Sequence, residues 1–494
     1  MQALIEEVRS PHTPDTLVDD LLRAGEDGVA LLQSTVPVSP CARFSIVAAR
    51  PFLNFQSRGF ACETWGENHR QARCLFANPW NALETLLARY EELEGGNLGF
   101  PLGGILGYWG YDLKRSVEPK LRHRAENDLD LPDCRLGFYG SLVVFDHLQD
   151  KVLAVATGLQ EDGSRDVQQA RKDLEFWKGY LTLSPARATI PGNPPDQNRL
   201  RTRGCKPAWS SNLSRQDFIE SVARAQAYIQ RGDIYQVNLS RRISAPAMET
   251  GWAFYRRLAA ASPAPFSAYL DAGHFAVISS SPEQFLHMQD RHVVTNPIKG
   301  TRPRGRNEAE DKRLAVELQT SAKERAELVM ITDLLRNDLG QICDFGSIHV
   351  PTLAALEKFS QVQHLVSSVE GRLKPGQTHL SALCSCFPGG SITGAPKFRA
   401  MEIIDELEPV SRSVYCGAIG YLGFNPSSRL SVAIRTAVLT GKQLYFNVGA
   451  GIVADSDPGA EFDETASKAA GFLAALESTG DLHESMPIPQ ARVQ

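Results

Sequence analysis

No stretch of this 494-residue chain approaches the ~18 uninterrupted apolar residues of a membrane-spanning helix. The N-terminus, MQALIEEVRSPHTPDT, carries early acids and no apolar core, so it does not read as a secretory signal. Positive charge is not in excess. With 52 Lys and Arg against 57 Asp and Glu the net charge is −5, which leaves no electrostatic footprint for nucleic acid. Cysteine is sparse: Cys41, Cys62, Cys74, Cys134, Cys205, Cys343, Cys384, Cys386 and Cys416 are scattered, odd in number and without a CxxC. That argues against thiolate metal sites and a disulfide framework, and for reduced, mostly buried thiols in the cytoplasm. There is no GxxxxGK[ST] loop, which disfavours nucleotide binding, and no repeat at a solenoid period.

What is present is the composition of a globular protein, 43% apolar and 22% charged, enough for two to four domains or one large interleaved one. The clearest break is the Pro-, Gly-, Asn- and Arg-rich stretch PARATIPGNPPDQNRLRTRGCKPAWSSNLS, read as a linker over residues 185–211. It separates a sheet-rich part, 1–184, with runs such as ARFSIVAARP and LGGILGYWGYDL, from a second part, 212–478; a polar tail covers 479–494. The second part opens with a helix whose start is marked by Ser214 and Asp217 in a capping-box arrangement and whose stop is Gly232. Further on the pattern predicts one long helix over about 308–339 and a last helix over 463–476. Helices and antiparallel-looking strands without βαβ rhythm predict an α+β fold.

Two pairs of glutamates share an i, i+3 spacing: Glu324 and Glu327 in KERAELVMITDLLRND, and Glu461 and Glu464 in GAEFDETASKAAGF. On a helix such carboxylates lie on one face. Solvated helix surface is the ordinary fate of such pairs, but two faces meeting in a cleft would suit a hard cation such as Mg²⁺. Gly449 and Gly451 in VGAGIVADSDPGAE, and Gly389, Gly390 and Ser391 in FPGGSITGAPKFRAM, remove side chains where backbone N–H groups could meet an anion. Arg435, read as mid-strand in SVAIRTAVL, needs an anionic partner, from substrate or from a salt bridge. Lys468, one turn beyond Glu464, could pair with it or with substrate. Lys299, in VVTNPIKGTRPRG, lies at a strand end turning through Gly300; a lysine in an apolar pocket becomes a nucleophile. Glu283, in ISSSPEQFL, could serve as its acid/base partner.

Taken together and in order, GDIYQVNLSRR, SSSPEQFL, PIKGTRPRG, ERAELVMITDLLRND, QVQHLVSSVEG, FPGGSITGAPKFRAMEIIDELE, GAIGYLGF and VGAGIVADSDPGAEFDETASKA resemble the chorismate-utilising enzymes. That family comprises anthranilate and aminodeoxychorismate synthase components I and the isochorismate and salicylate synthases. The resemblance covers about 212–476. It implies an α+β fold of two β-sheets packed face to face with helices outside, and an active site in the cleft between lobes. It also implies Mg²⁺ near the substrate carboxylate, with Glu327 and Glu464 as direct ligands and Glu324 and Glu461 acting directly or through water. Gln236, His364, Ser391, Tyr415, Arg435, Gly449, Gly451 and Lys468 fall where the family contacts the ring and its two carboxylates.

Two positions choose among members. Those that add water place a lysine base where this chain has Gln236, so the resemblance implies an ammonia user. Anthranilate synthases read PIAGT where this chain reads PIKGT, and Lys299 is the mark of the enzymes that aminate chorismate at C4. The expected product is 4-amino-4-deoxychorismate, with anthranilate synthase component I as the alternative. No cysteine has a glutaminase context, Cys205 and Cys343 coming nearest to a glycine, so a separate glutamine amidotransferase subunit is implied as the ammonia source. LLQSTVP, 31–37, lies where family members bind tryptophan, and the N-terminal part is expected to be its place if it binds.

Overall fold

The structure is a computed structural model and describes residues 3–36, 43–66, 72–90, 98–185, 209–358 and 362–477. Among these residues there are two large sheets, each of twelve strands, and every pairing between their strands is antiparallel. The architecture is α+β, as the pattern of elements predicted. The first sheet runs, edge to edge, through Leu4–Glu7, Lys151–Ala156, Ser141–Asp146, Phe44–Ala48, Ala30–Gln33, Phe266–Asp271, Phe275–Ser281, Thr436–Thr440, Gln443–Ile452, Gln236–Pro246 and Ser210–Ser211. The second runs through Ile298–Pro303, Val362–Arg372, His292–Asn296, Gln284–Gln289, Ser427–Val432, Ala418–Gly423, Gly104–Trp109, Cys134–Tyr139, Leu53–Arg58, Ala61–Gly66 and Arg73–Phe76. The twelfth strand of each stands off this path, Gly394–Ala395 on Gln236–Pro246 in the first and His349–Lys358 on Val362–Arg372 in the second.

The two sequence parts on either side of the linker therefore interleave. Each contributes strands to both sheets, and the seams lie where Phe266–Asp271 pairs with Ala30–Gln33 and where Ala418–Gly423 pairs with Gly104–Trp109. The inner faces enclose one core, in which Tyr108 of the second sheet meets Phe275 of the first with ring centroids 6.1 Å apart. A second core lies beneath helices Pro14–Ala24, Val167–Thr182, Gly251–Ala261 and Pro458–Glu477, which cover the outer face of the first sheet.

Most of the linker, residues 186–208, and the tail lie outside the described residues. The last two linker residues form an ordered strand, Ser210–Ser211, on Ser244 and Ile243. Ser214 then caps Arg215–Gln230 in the predicted capping box. No described helix is long and apolar enough to cross a membrane. The described cysteines are all free thiols.

Candidate active site

At two adjacent points among the several where the chain passes between the two sheets, the crossing carries a charged residue of the expected site. Phe275–Ser281 ends in the first sheet and Gln284–Gln289 begins in the second, with Glu283 on the crossing. Ser427–Val432 ends in the second and Thr436–Thr440 begins in the first, with Arg435 on that crossing. The crossings are stitched together: the Val432 N–H donates to the Glu283 carbonyl at 3.0 Å, the Ser280 N–H to the Arg435 carbonyl at 2.9 Å, and the Ser281 hydroxyl to the Val432 carbonyl at 2.6 Å.

Arg435 is thus not mid-strand, as its apolar neighbours suggested. Its φ is +52°, a left-handed conformation costing a non-glycine residue ~1–3 kcal/mol. Both flanking strands are buried, so the apolar run continues across the turn and conceals it. Its Nη1 donates to the Lys468 carbonyl at 2.6 Å, and burial lowers its pKa against the opposing pull of Tyr415 and Glu464.

Glu283 is buried, and burial pushes its carboxyl above the usual range. The Ser391 hydroxyl and the ammonium groups of Lys299 and Lys468 pull the other way. Lys299 sits on the edge strand Ile298–Pro303 beside a register shift between Lys299 and Thr301, where Gly300 supplies φ +66°. A bulge of this kind re-aims a side chain. Its ammonium bears on Glu283, Glu327, Glu464 and Lys468, so its setting is charged rather than the apolar pocket expected. On the partner strand His364 Nδ1 lies 2.9 Å from the Thr301 hydroxyl, and burial holds its pKa down to about 4, leaving the ring neutral.

The first glutamate of each pair, Glu324 or Glu461, lies in the first turn of its helix and the second, Glu327 or Glu464, in the next turn, and the helices begin at places the sequence pattern did not mark. The stretch 308–339 is two helices, Glu308–Thr320 and Ala322–Ile342, because the Ser321 hydroxyl accepts the Glu324 N–H as a new N-cap. The last helix starts at Pro458 rather than 463, with Asp457 Oδ1 accepting the Ala460 N–H at 2.7 Å. Both starts set negative charge at the positive end of a helix dipole.

Between these helices stands a residue that sequence reasoning missed. Lys323 Nζ is 4.0 Å from Glu327 Oε1 and 3.8 Å from Glu461 Oε1. Its i, i+4 spacing to Glu327 was legible; its reach to Glu461 was not. Burial raises the pKa of Glu327 and of Glu461. For Glu464 the upward push of burial is outweighed by Lys468, 2.7 Å away, and the net shift is down. Glu324 stands aside, 3.5 Å from Arg302 and close against Gly300.

Among the described residues no three His, Cys, Asp or Glu side chains converge as a preformed cage. The donors nevertheless suit a hard dication. They are carboxylates from two helices; burial, Glu324 and Glu464 push the pKa of Glu327 up while Lys299 and Lys323 pull it down, so a cation would join a cluster already partly neutralised. Mg²⁺ is ordinarily held by one or two carboxylates together with substrate oxygens and water.

The central strand Gln443–Ile452 passes Gly449 and Gly451 beneath these groups. A Cβ at Gly449 would lie 2.9 Å from the Tyr415 hydroxyl, and one at Gly451 would lie 2.7 Å from Gln236 Nε2. Lys468 Nζ donates to the Gly449 carbonyl at 2.8 Å. Gln236 is 1% exposed and its Oε1 has no hydrogen-bond partner, leaving an acceptor available at the site. The expected residues therefore form a connected neighbourhood, except that Glu324 lies at its margin. Elsewhere, Leu32, Gln33 and Ser34 of the segment 31–37 line a cavity between the sheets with Phe44, Pro265 and Tyr421; Pro37 lies outside the described residues.

Comparison with known proteins gives this geometry its family. The profile described as "chorismate binding enzyme" matches residues 43–474. This chain belongs to the chorismate-binding enzyme family. It is similar to anthranilate synthase component 1 of Thermus thermophilus, 39% identical over 94% of this chain and 96% of that one. It is equally akin to aminodeoxychorismate synthase component 1 of Klebsiella aerogenes, 42% identical over 88% of this chain and 91% of that one. Among solved structures, that of anthranilate synthase component I from Streptococcus pneumoniae superposes with a TM-score of 0.74 at 32% identity, covering 88% of this chain and 93% of that one.

Proposed function

We propose that this chorismate-utilising enzyme aminates chorismate at C4, giving 4-amino-4-deoxychorismate for 4-aminobenzoate and folate synthesis. The observation that carries the reading is Lys299, which shares its surroundings with Glu283, Lys468 and two of the paired glutamates. In this mechanism the Lys299 amine attacks C2 of the ring, the double bonds shift and the C4–O bond breaks. Glu283, whose burial favours the protonated acid, gives its proton to the departing oxygen, which leaves as water. Ammonia then attacks C4, the double bonds return and the C2–N bond breaks, restoring the lysine amine while the surplus proton returns to Glu283. The enolpyruvyl group stays on the ring, and no pyruvate is released.

Arg435, Lys468 and the N–H groups near Gly449 and Gly451 would hold the two substrate carboxylates, and Tyr415, His364 and Ser391 would orient the ring. Gln236 is a neutral amide, unable to activate water, which keeps the reaction with ammonia. Glu327 and Glu464, with Glu461 and Glu324 behind them, would hold Mg²⁺, whose charge would offset that of a substrate carboxylate. A separate glutamine amidotransferase subunit would supply ammonia, and the cavity at Leu32 and Ser34 would be the place for tryptophan. The cytoplasm is the expected setting.

The test is the product. Chorismate, Mg²⁺ and ammonium with purified wild type should yield a compound with the mass and ultraviolet spectrum of aminodeoxychorismate, and Lys299→Ala should lower its formation by orders of magnitude. Anthranilate and pyruvate as main products would favour the second reading, anthranilate synthase, which the comparable identity of relatives bearing that name keeps open.

A further inference from the structure

Two motif residues, Asp338 near the end of the glutamate helix and Lys397 of GAPK, and one residue between motifs, Arg412 beyond the helix Lys397–Leu407, have no part in the chemistry above. All three bear on the turn that carries Ser391. This turn, Gly390–Ile392, runs from the helix His379–Cys386 to the two-residue strand Gly394–Ala395. Ser391 itself is held by no long element of regular structure.

Two buried ion pairs grip the turn from opposite ends. At its entry Lys397 Nζ donates to both Asp338 oxygens, each at 2.8 Å, and to the Cys386 carbonyl at 3.1 Å. At its exit Arg412 donates Nε and Nη2 to Glu408 at 2.8 and 2.7 Å. Its Nη1 reaches the Ile392 carbonyl at 3.0 Å and its Nη2 the Asn238 carbonyl at 2.6 Å. Glu408 in turn accepts the Ser240 N–H at 2.7 Å, which ties the exit to the strand bearing Gln236. From below, Leu334 packs so closely that a Cβ at Gly390 would come within 2.5 Å of it. Apolar pairs of similar volume often stabilise a buried site as well as an ion pair does. What they cannot supply is a further N–H aimed at a carbonyl on the turn.

We infer that Lys397 and Arg412 are positioning residues, which fix the turn at Cys386 and Ile392 so that the Ser391 hydroxyl is held against Glu283. The inference rests on the proposed role of Glu283 as the acid. Lys397 holds the Cys386 carbonyl at the end of the helix that leads into the turn, and Arg412 holds the Ile392 carbonyl next to Ser391. Glu283 is otherwise faced by Lys299 and Lys468 and by the Cys416 thiol. Loosening the turn at Lys397 bears on Glu283 through the serine contact, whereas Arg412 also holds the Asn238 carbonyl on the strand of Gln236.

The experiment is a double-mutant cycle on ammonia-dependent chorismate consumption in the full chain. The arms are Ser391→Ala, the pair Lys397→Met with Asp338→Leu, and all three together. Removing both charges avoids a lone buried ion. Ser391→Ala should lower kcat about tenfold, the worth of a hydrogen bond to a charged group. The pair should lower kcat to a similar degree with KM within about twofold, and the triple variant should fall no more than about twofold further, since the two changes break one contact.

Loss of the serine leaves the upward push of burial on Glu283 less opposed, so the alkaline limb of the kcat profile should move up in pH in all three variants. Multiplicative losses, or an unmoved limb in the pair variant, would overturn the inference. An unmoved limb and unchanged kcat in Ser391→Ala would sink the acid role of Glu283 and this inference with it. Should the pair variant fail to fold, Asp338→Glu keeps the charge while drawing Lys397 off the Cys386 carbonyl; a smaller shift in the same direction is expected, and none would count against the clamp.

Discussion

Adding one methyl group to the central strand distinguishes a rigid wall of the site from a yielding one. A Cβ at Gly449 would lie 2.8 Å from the Leu239 carbonyl, 2.9 Å from the Tyr415 hydroxyl and 3.2 Å from Asn238 Nδ2. The Leu239 carbonyl belongs to the neighbouring paired strand, with Ser240 opposite Gly449, and cannot withdraw without disturbing the ladder. Overpacking of this kind costs ~1–3 kcal/mol. Because the Gly449 carbonyl accepts from Lys468 and its neighbour is Tyr415, the displacement reaches two residues proposed to contact the substrate. At ~1.4 kcal/mol per decade, Gly449→Ala should lose on the order of tenfold to a hundredfold in kcat/KM.

A Cβ at Gly451 would meet only the far end of Gln236, Nε2 at 2.7 Å with Cδ at 3.7 Å, and a side chain can turn where a ladder cannot. Gly451→Ala should therefore lose activity with a much smaller loss of stability. Urea midpoints and ammonia-dependent turnover, measured side by side, decide the matter. Wild-type stability and turnover in Gly449→Ala, or equal destabilisation in both variants, would refute the reasoning.

Other expectations follow from the same geometry. Glu327→Ala and Glu464→Ala should abolish Mg²⁺-dependent turnover while leaving the circular dichroism spectrum unchanged; activity of either variant in EDTA would remove the magnesium assignment. The isolated chain should use ammonium but not glutamine, with a rate rising with pH as ammonium loses its proton; an added glutaminase subunit should confer glutamine use and flatten that dependence. His364, held near pKa 4 by burial against about 6.5 when unfolded, binds fewer protons folded than unfolded. It imposes no penalty above about pH 6.5, and the penalty grows to ~3 kcal/mol as pH falls towards 4. Urea midpoints at pH 7 and pH 5 should differ less in His364→Gln than in wild type.

The ordered motifs made the family legible, together with most of the residues that the structure gathers around Glu283 and Lys299, because each motif encodes its own local turn or face. Ser214 and Asp217 acted through contacts within a few residues of each other. The sequence pattern hid what depends on distant partners. Lys323 looks like an ordinary i−4 neighbour of Glu327 until Glu461 arrives from the last helix. Arg435 looks like a strand residue because two buried strands meet at it without a polar break. The charged surroundings of Lys299 were equally hidden, since they come from three separate segments.

The interleaving of the two sequence parts has a consequence for how the chain reaches this shape. Besides their hairpin partners 275–281 and 427–432, strands 266–271 and 418–423 pair across the seams with residues near 30 and 105, so the seam pairings close loops of more than 200 residues. Such non-local topology folds slowly, because loop-closure entropy is spent before the contacts that compensate it form. The C-terminal part emerging alone would present two open strand edges, an invitation to intermolecular pairing. Produced separately, the fragments before 186 and after 208 should each be prone to aggregate, yet together they hold complementary edges and should reassemble. A cut made between them after folding should leave both sheets intact. In this enzyme the covalent connection between the parts serves the first assembly of the fold more than its persistence.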